Sequence, residues 1–330
     1  MNININYILF YILLLNVIKI FGFQNNLNID DKKFRHCKKC IKDKNLYKHD
    51  CDKCPASEIL DNLKILTDDQ TLDEIINNNK SISRFGDGEF DIMFDRKIKF
   101  QKSDKLLSKR LKSVFISDEE NLLLGVDDSL NSSFLKNFKN PTFFVNWRNS
   151  NMYNLLKVLN VNKTYASTRI SRFYIDYINN DDTPEYVKKL RKVWEKKDIV
   201  IIEGEKSRLG IGNDLFNNTN SIQRIICPSE NAFDSYDKIM EESLKLDKNK
   251  LVLIALGPTA TVLAYDLYKN GYQAIDIGHV DLEYEWFLRN ATRRTKIEYK
   301  YVNEIRGGNL NIQNVTDENY FKQIIAKILN

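Results

Sequence analysis

From residue 56 onward, short apolar runs alternate with stretches in which apolar residues return every three or four positions. Such a chain builds strands covered by amphipathic helices. The run Ile199-Val200-Ile201-Ile202 has no polar member, as expected of a strand buried on both faces of a parallel sheet. Segments 82–85, 122–126, 142–145, 168–174, 251–256 and 273–277 read as further strands. Helical periodicity follows Thr71-Leu72-Asp73-Glu74, whose spacing is that of a capping box, with Leu72, Ile75 and Ile76 on one face. It recurs after Ser103-Asp104 (Leu107, Leu111, Val114, Phe115), from Met152 (Leu155, Leu156, Leu159) and after Thr183-Pro184 (Val187, Leu190, Trp194). Asn146-Trp147-Arg148-Asn149 reads as a polar and aromatic loop before the Met152 helix.

The clearest strand–turn–helix unit runs from 251–256 through Gly257-Pro258-Thr259 into a helix with Val262, Leu263, Tyr265 and Leu267, ended at Gly271. A last helix is expected from Asp317, with Phe321, Ile324, Ile325 and Ile328 apolar. This alternation predicts a Rossmann-like α/β domain over residues 56–330, a mostly parallel sheet flanked by helices.

Residues 1–55 break the pattern. Residues 7–15 are an unbroken apolar run, interrupted afterwards by Asn16 and Lys19. That is short for a spanning helix and fits a secretory signal over 1–23; a retained signal anchor is the alternative, and the only route by which a membrane enters the picture. Either way the rest of the chain is expected in the secretory lumen or outside the cell. Asn-x-Ser/Thr sequons at Asn79, Asn131, Asn162, Asn217, Asn290 and Asn314 agree with this. Cys37, Cys40, Cys51 and Cys54 form C-x₂-C-x₁₀-C-x₂-C within a clip over 24–55, flanked by His36 and His49. In a reducing compartment this spacing suits a structural Zn²⁺; behind a secretory signal two disulfides are favoured, and spacing leaves their connectivity open.

At 330 residues and 42% hydrophobic, the chain is long enough for one large core or two modest ones. Its net charge of +5 comes from 50 basic and 45 acidic residues that are interspersed, unlike the one-sided basic face of a nucleic-acid binder.

Polar turns after predicted strands carry the candidate chemistry, because open α/β sheets place ligands there. Arg84-Phe85-Gly86-Asp87-Gly88-Glu89 ends one strand. Glycines let the backbone bend and let a ligand approach, and Asp87 and Glu89 then offer hard oxygen ligands to one Mg²⁺ or Mn²⁺. Glu203 to Asp214 follow a second strand, with Lys206 and Arg208 among them; Gly257 to Thr259 open a helix N-terminus suited to phosphate; Gly278-His279-Val280-Asp281 follow a fourth. Glu203, Asp214, His279 and Asp281 are the candidates for proton transfer. Arg84, Gly86, Gly88, Arg208, Gly257 and Thr259 are the candidates for holding phosphate or nucleotide. No G-x-G-x-x-G, Walker A loop or G-x-S-x-G is present, which disfavours nicotinamide, P-loop and serine-hydrolase chemistry.

The Arg84–Glu89 block resembles the D-x-E signature of the GT-D fold glycosyltransferases. The resemblance continues through residues 203–216, 224–233, 256–261 and 278–286, in all about residues 70 to 290. It implies a divalent cation on Asp87 and Glu89, a UDP-sugar donor, and a glycan or glycoprotein acceptor. It does not extend to the N-terminal segment or the cysteine clip. A glycan- or nucleotide-binding module without catalysis, on the same scaffold, is the competing expectation.

Overall fold

A computed structural model describes residues 55–310 and 312–329; the signal-like segment, the cysteine clip and two histidines lie outside the described residues. Among the described residues nine strands form one sheet in the order β1-β4-β3-β2-β8-β7-β5-β6-β9, with every pairing between them parallel. They are β1 (Lys64–Ile65), β2 (Ser81–Phe85), β3 (Leu122–Val126), β4 (Thr164–Ser167), β5 (Asp198–Gly204), β6 (Ser221–Cys227), β7 (Leu251–Ala255), β8 (Ala274–Asp276) and β9 (Ile324–Lys327).

The side-chain alternation of β5 explains its polar-free run. Ile199 and Ile201 enter one core beside Leu251, Leu253 and Ile275, while Val200 and Ile202 enter the other beside Val252 and Ile254. Helices α1 (Pro55–Asp61), α4 (Lys105–Phe115), α5 (Thr142–Val158) and α8 (Pro258–Lys269) bury residues in the second of these cores; α2 (Asp68–Asn77), α6 (Thr183–Arg191) and α9 (Val280–Leu288) bury theirs in the first. The remaining helices are α3 (Asp87–Met93), α7 (Tyr236–Ser243) and α10 (Glu318–Gln323).

The structure moves several expected elements. The capping box sits four residues earlier, with Gln70 N donating to Thr67 Oγ1 (3.1 Å) and Thr67 N to Gln70 Oε1 (3.0 Å). Thr71 is instead buried within α2, where its hydroxyl accepts from Ser167 N of β4. Residues 142–149, expected as strand and loop, are the first turns of α5. The inward face of that helix includes buried Arg148 and Asn151, so its period was hidden by polar residues; Arg148 is satisfied by Leu130 O, Ser57 and Asp61. The strand expected at 168–174 is β4, placed earlier, followed by a 3₁₀ turn at Thr168–Ser171. Strand β6, which has a charged Arg224 at its centre, carried no strand signal. The final helix ends at Gln323, because residues 324–327 pair with β6 as an edge strand rather than continuing the helical period.

Candidate active site

The C-terminal ends of β2, β3, β5, β7 and β8 open onto one cavity of about 330 Å³. Strand β2 sits between β3 and β8, where chain connections depart to opposite sides of the sheet, the usual ligand position in such folds. Gly86 is the N-cap of α3, so Asp87 and Glu89 belong to that helix's first turn rather than to a free bend. Glu89 Oε2 accepts from Gly86 N at 2.9 Å, closing the turn. Asp87 is exposed at the cavity opening and Glu89 lies deeper.

Of the predicted residues, Arg84, Gly86, Asp87, Gly88, Glu89, Gly257, His279 and Asp281 line the cavity together. Glu203, Asp214, Arg208 and Thr259 are not among its lining. Glu203 is fully buried against Arg224 (2.5 Å) and accepts from Leu209 N (2.7 Å). Asp214 faces another groove, half exposed, held by Arg191 (3.0 Å) and the Tyr284 hydroxyl (2.6 Å). Arg208 reaches away to Tyr299 O and Gln313 O. Thr259 is buried inside α8.

Charge pairing separates the lining carboxylates. Asp276 is paired with Arg84 (3.0 Å), Asp127 with Arg169 (3.2 Å), Asp281 with Lys300 (2.6 Å), and Glu304 with Arg172 and Arg294. Asp87 and Glu89 have no ion pair among the described residues. Asp87 meets solvent at the opening but is ringed by protein, and that partial desolvation, then the charge of Asp127, pushes its carboxyl up to about 6; burial, then Asp276, pushes Glu89 up to about 7. Two carboxylates held near one another and engaged in no ion pair suit a hard cation. No three His, Cys, Asp or Glu side chains among the described residues form a complete metal cage. The pair therefore fits Mg²⁺ or Mn²⁺ in the mode that takes one or two carboxylates and leaves other positions to water and substrate phosphate.

Arg84 is more constrained than a phosphate clamp. Its Nη1 donates to Thr168 O (2.8 Å) and Ser171 Oγ (2.5 Å), and Nη2 to Asp276, so it braces β2 against β8 and the 3₁₀ turn. Gly278 makes this possible. It has φ of +48°, and a Cβ there would stand 1.9 Å from Arg84 Nη2. Gly278→Ala should therefore lose about 3 kcal/mol of stability in urea unfolding, by displacing the guanidinium and straining the backbone. Gly212→Ala, at φ of +82° with nothing within 4 Å, should lose only about 1 kcal/mol.

His279 caps α9 and donates toward Asn303 Oδ1 at 3.1 Å, with Glu304 Oε1 at 3.5 Å. Burial, reinforced by Arg172, lowers its imidazole to about 4, so it is neutral at physiological pH. Asp281, by contrast, is bound to Gly210 N (2.7 Å), Asn213 (2.9 Å) and Lys300, a knot between the loop after β5 and α9.

Sequence reasoning missed Asp127, Arg172, Asp276, Asn303 and Glu304, all of which line the cavity. Asp127 and Asp276 had a signal, each standing at the end of an apolar strand. Asn303 and Glu304 had none, since they lie in a loop whose position only the folded chain determines.

The family model for the glycosyltransferase GT-D fold matches residues 82–305, a span that includes every residue lining the cavity. The chain belongs to the GT-D fold glycosyltransferase family. It is 38% identical over 269 residues to a probable glycosyl transferase, Gly, of Streptococcus gordonii, matching 81% of this chain and 39% of that protein. It is 36% identical to the glycosyltransferase GlyD of Streptococcus pneumoniae, matching 82% of this chain and 33% of that one. The GT-D chain thus matches between a third and two fifths of the length of these relatives. A solved structure of domain of unknown function 1792, described as a distinct glycosyltransferase fold, superposes with a TM-score of 0.78 at 38% identity, covering 83% of this chain and 98% of that domain. Another, described as a new glycosyltransferase from Streptococcus sanguinis, gives 0.76 at 36% identity, covering 81% and 99%.

Proposed function

We propose that this GT-D domain transfers a sugar from a nucleotide-sugar donor, a UDP-sugar by the family resemblance, to a glycan or glycoprotein hydroxyl, with a divalent cation on Asp87 and Glu89. The observation that carries the reading is the charge pattern: four of the six lining carboxylates are ion-paired with Arg or Lys, and among the described residues only the D-x-E pair lines the cavity without an ion pair.

A cation held there would offset charge on the leaving diphosphate. The chain's own residues do the rest. Glu89 fixes the first turn of α3 through Gly86 N and so sets where Asp87 stands. Ile98, Phe100 and Leu256 give the cavity an apolar wall for a nucleoside, with Ser207 and Ser229 beside it. Of the four proton-transfer candidates, His279 alone combines a place on the cavity with a neutral basic group. Glu203 and Asp281 are tied into buried ion pairs, and Asp214 lies in a different groove. His279 is therefore the proposed acceptor of the hydroxyl proton.

A lumenal or extracellular setting is part of the same proposal. It rests on the signal-like segment and on sequons, of which Asn79, Asn162, Asn217, Asn290 and Asn314 are exposed. The four-cysteine clip would then carry disulfides rather than zinc.

Calorimetry with UDP-sugars in Mn²⁺ and in chelator, paired with a donor-hydrolysis assay, tests the transfer reading. Donor should bind at least about tenfold more tightly with metal, and be turned over. Equal binding in chelator would remove the metal from the reading. Binding without hydrolysis or transfer across a broad acceptor panel would instead support a non-catalytic module.

A further inference from the structure

Segment 297–308 contributes Tyr301, Asn303 and Glu304 to the cavity lining and brings a side-chain amide to the imidazole of His279. The strap is pinned from several sides. Lys99 Nζ donates to Asn303 O (2.9 Å), Tyr301 N donates to Lys206 O (2.9 Å), and Glu304 is held by Arg172 and Arg294. With the backbone of residue 303 fixed, its side-chain oxygen lies 3.1 Å from His279 Nε2. An amide oxygen only accepts, so Nε2 carries the proton of the neutral ring. No hydrogen bond engages Nδ1 among the described residues, and Nδ1 is not among the buried polar atoms that lack a partner. The side chain keeps about 27% of its surface exposed, on the cavity side.

Resting on the reading of His279 as proton acceptor, we propose that Asn303 is a positioning residue: it holds His279 as the Nε2–H tautomer and so presents the Nδ1 lone pair to the acceptor hydroxyl. In the transfer step the acceptor O–H bond breaks and its proton goes to Nδ1. The oxygen's electron pair forms the new bond to the anomeric carbon, and the bond from that carbon to the diphosphate oxygen breaks with its electrons on the leaving group. The charged groups facing the imidazole are Arg172, which follows the 3₁₀ turn, Arg84 from β2 and Glu304 from the strap. The two arginines oppose protonation, and Glu304 favours it. A neutral amide at 303 adds a hydrogen-bond acceptor without adding a second carboxylate, which keeps the ring unprotonated at working pH.

The test is ¹⁵N NMR of histidine-labelled full-length protein, with His279→Gln assigning the signal, alongside pH profiles of kcat/KM. Wild type should show the Nε2–H tautomer and titrate well below an ordinary histidine. Asn303→Asp puts a carboxylate at the same point, so the imidazole pKa and the acidic limb of kcat/KM should both rise by about one unit or more. Asn303→Ala should lower kcat by about tenfold with donor KM unchanged, and mix the tautomers. A wild-type Nδ1–H tautomer, or an imidazole titration that Asn303→Asp leaves in place, overturns the proposal. So does wild-type kcat in His279→Gln, which would still leave glycosyl transfer intact as a function. The NMR arm needs no turnover, so an absence of transfer in every protein would count against the proposed function separately.

Discussion

Asp87→Asn/Glu89→Gln protein should lose on the order of 10²–10³-fold or more in transfer rate, yet be more heat-stable than wild type when both are compared in chelator at pH 7.5. The sign follows from the two carboxyls, pushed up to about 6 and about 7 in the folded chain from ordinary values near 4. A carboxyl whose folded pKa is raised binds its proton better folded than unfolded. Its stabilising contribution is complete below the unfolded value, near pH 4, and is lost as pH rises through about 7. At pH 7.5 the metal-free wild type therefore carries two carboxylates that repel each other and their neighbours Asp127 and Asp276, a penalty the neutral amides remove. Asp87 is exposed to the cavity, where water screens it, so Glu89 dominates and the gain is only about 1–2 kcal/mol, a few degrees in Tm. The side-chain oxygen that Glu89→Gln retains still accepts from Gly86 N, so the first turn of α3 keeps its closure. Mn²⁺ should raise the Tm of wild type and leave the variant unmoved. Differential scanning fluorimetry from pH 5 to 8 reads all of this. A variant that melts earlier than wild type in chelator, or that metal still stabilises, would sink the assignment.

How far the chain was readable depended on what each segment packs against. The β5 run and the Gly257-Pro258-Thr259 turn state their roles locally, because a strand covered on both faces needs only apolar residues and a helix start needs a sharp bend. Arg224 and Arg148 defeat the same logic. Each is a charged residue inside an element, buried because partners distant in sequence neutralise it or accept its hydrogen bonds, and the hydrophobic pattern cannot register those partners. The edge strand β9 is a similar case: 324–328 has a helix-like spacing, and pairing with β6 overrides it.

The site shows the same division. That Asp87 and Glu89 line the cavity was legible because the carboxylates and the glycines that place them are contiguous. Glu203 and Asp281 looked equally suited to catalysis as residues at strand ends, and the pattern could not show that Arg224 and Lys300 arrive from elsewhere to hold them in buried ion pairs. Asn303 and Glu304 were invisible for the converse reason, since only the folded strap carries them to the cavity and to His279 and Arg172.

Glu203→Ala should cost about 3–5 kcal/mol, lowering Tm by roughly 10 °C, although Glu203 is not among the residues lining the cavity. The carboxylate and Arg224 are both sealed from solvent, 2.5 Å apart, and the arginine also binds Leu209 O (2.9 Å) and Gln323 (2.7 Å) while lying 5.0 Å from the centre of the Tyr320 ring. One pair thus joins β5, β6, the loop that carries Leu209 to the cavity, and α10. Removing only the carboxylate strands a guanidinium in the core, where an unpaired charge is far more costly than no charge. The double variant Glu203→Leu/Arg224→Met should therefore recover most of the loss, because it deletes both charges and keeps the volume apolar. Glu203→Gln separates this structural role from proton transfer. It keeps shape and one acceptor for Leu209 N, so the folded fraction should retain kcat to within a few-fold at reduced stability. A Glu203→Gln protein that melts with wild type but loses on the order of 10³-fold in kcat would return Glu203 to the list of catalytic bases. A double variant no more stable than Glu203→Ala would show that Arg224 contributes through its other contacts.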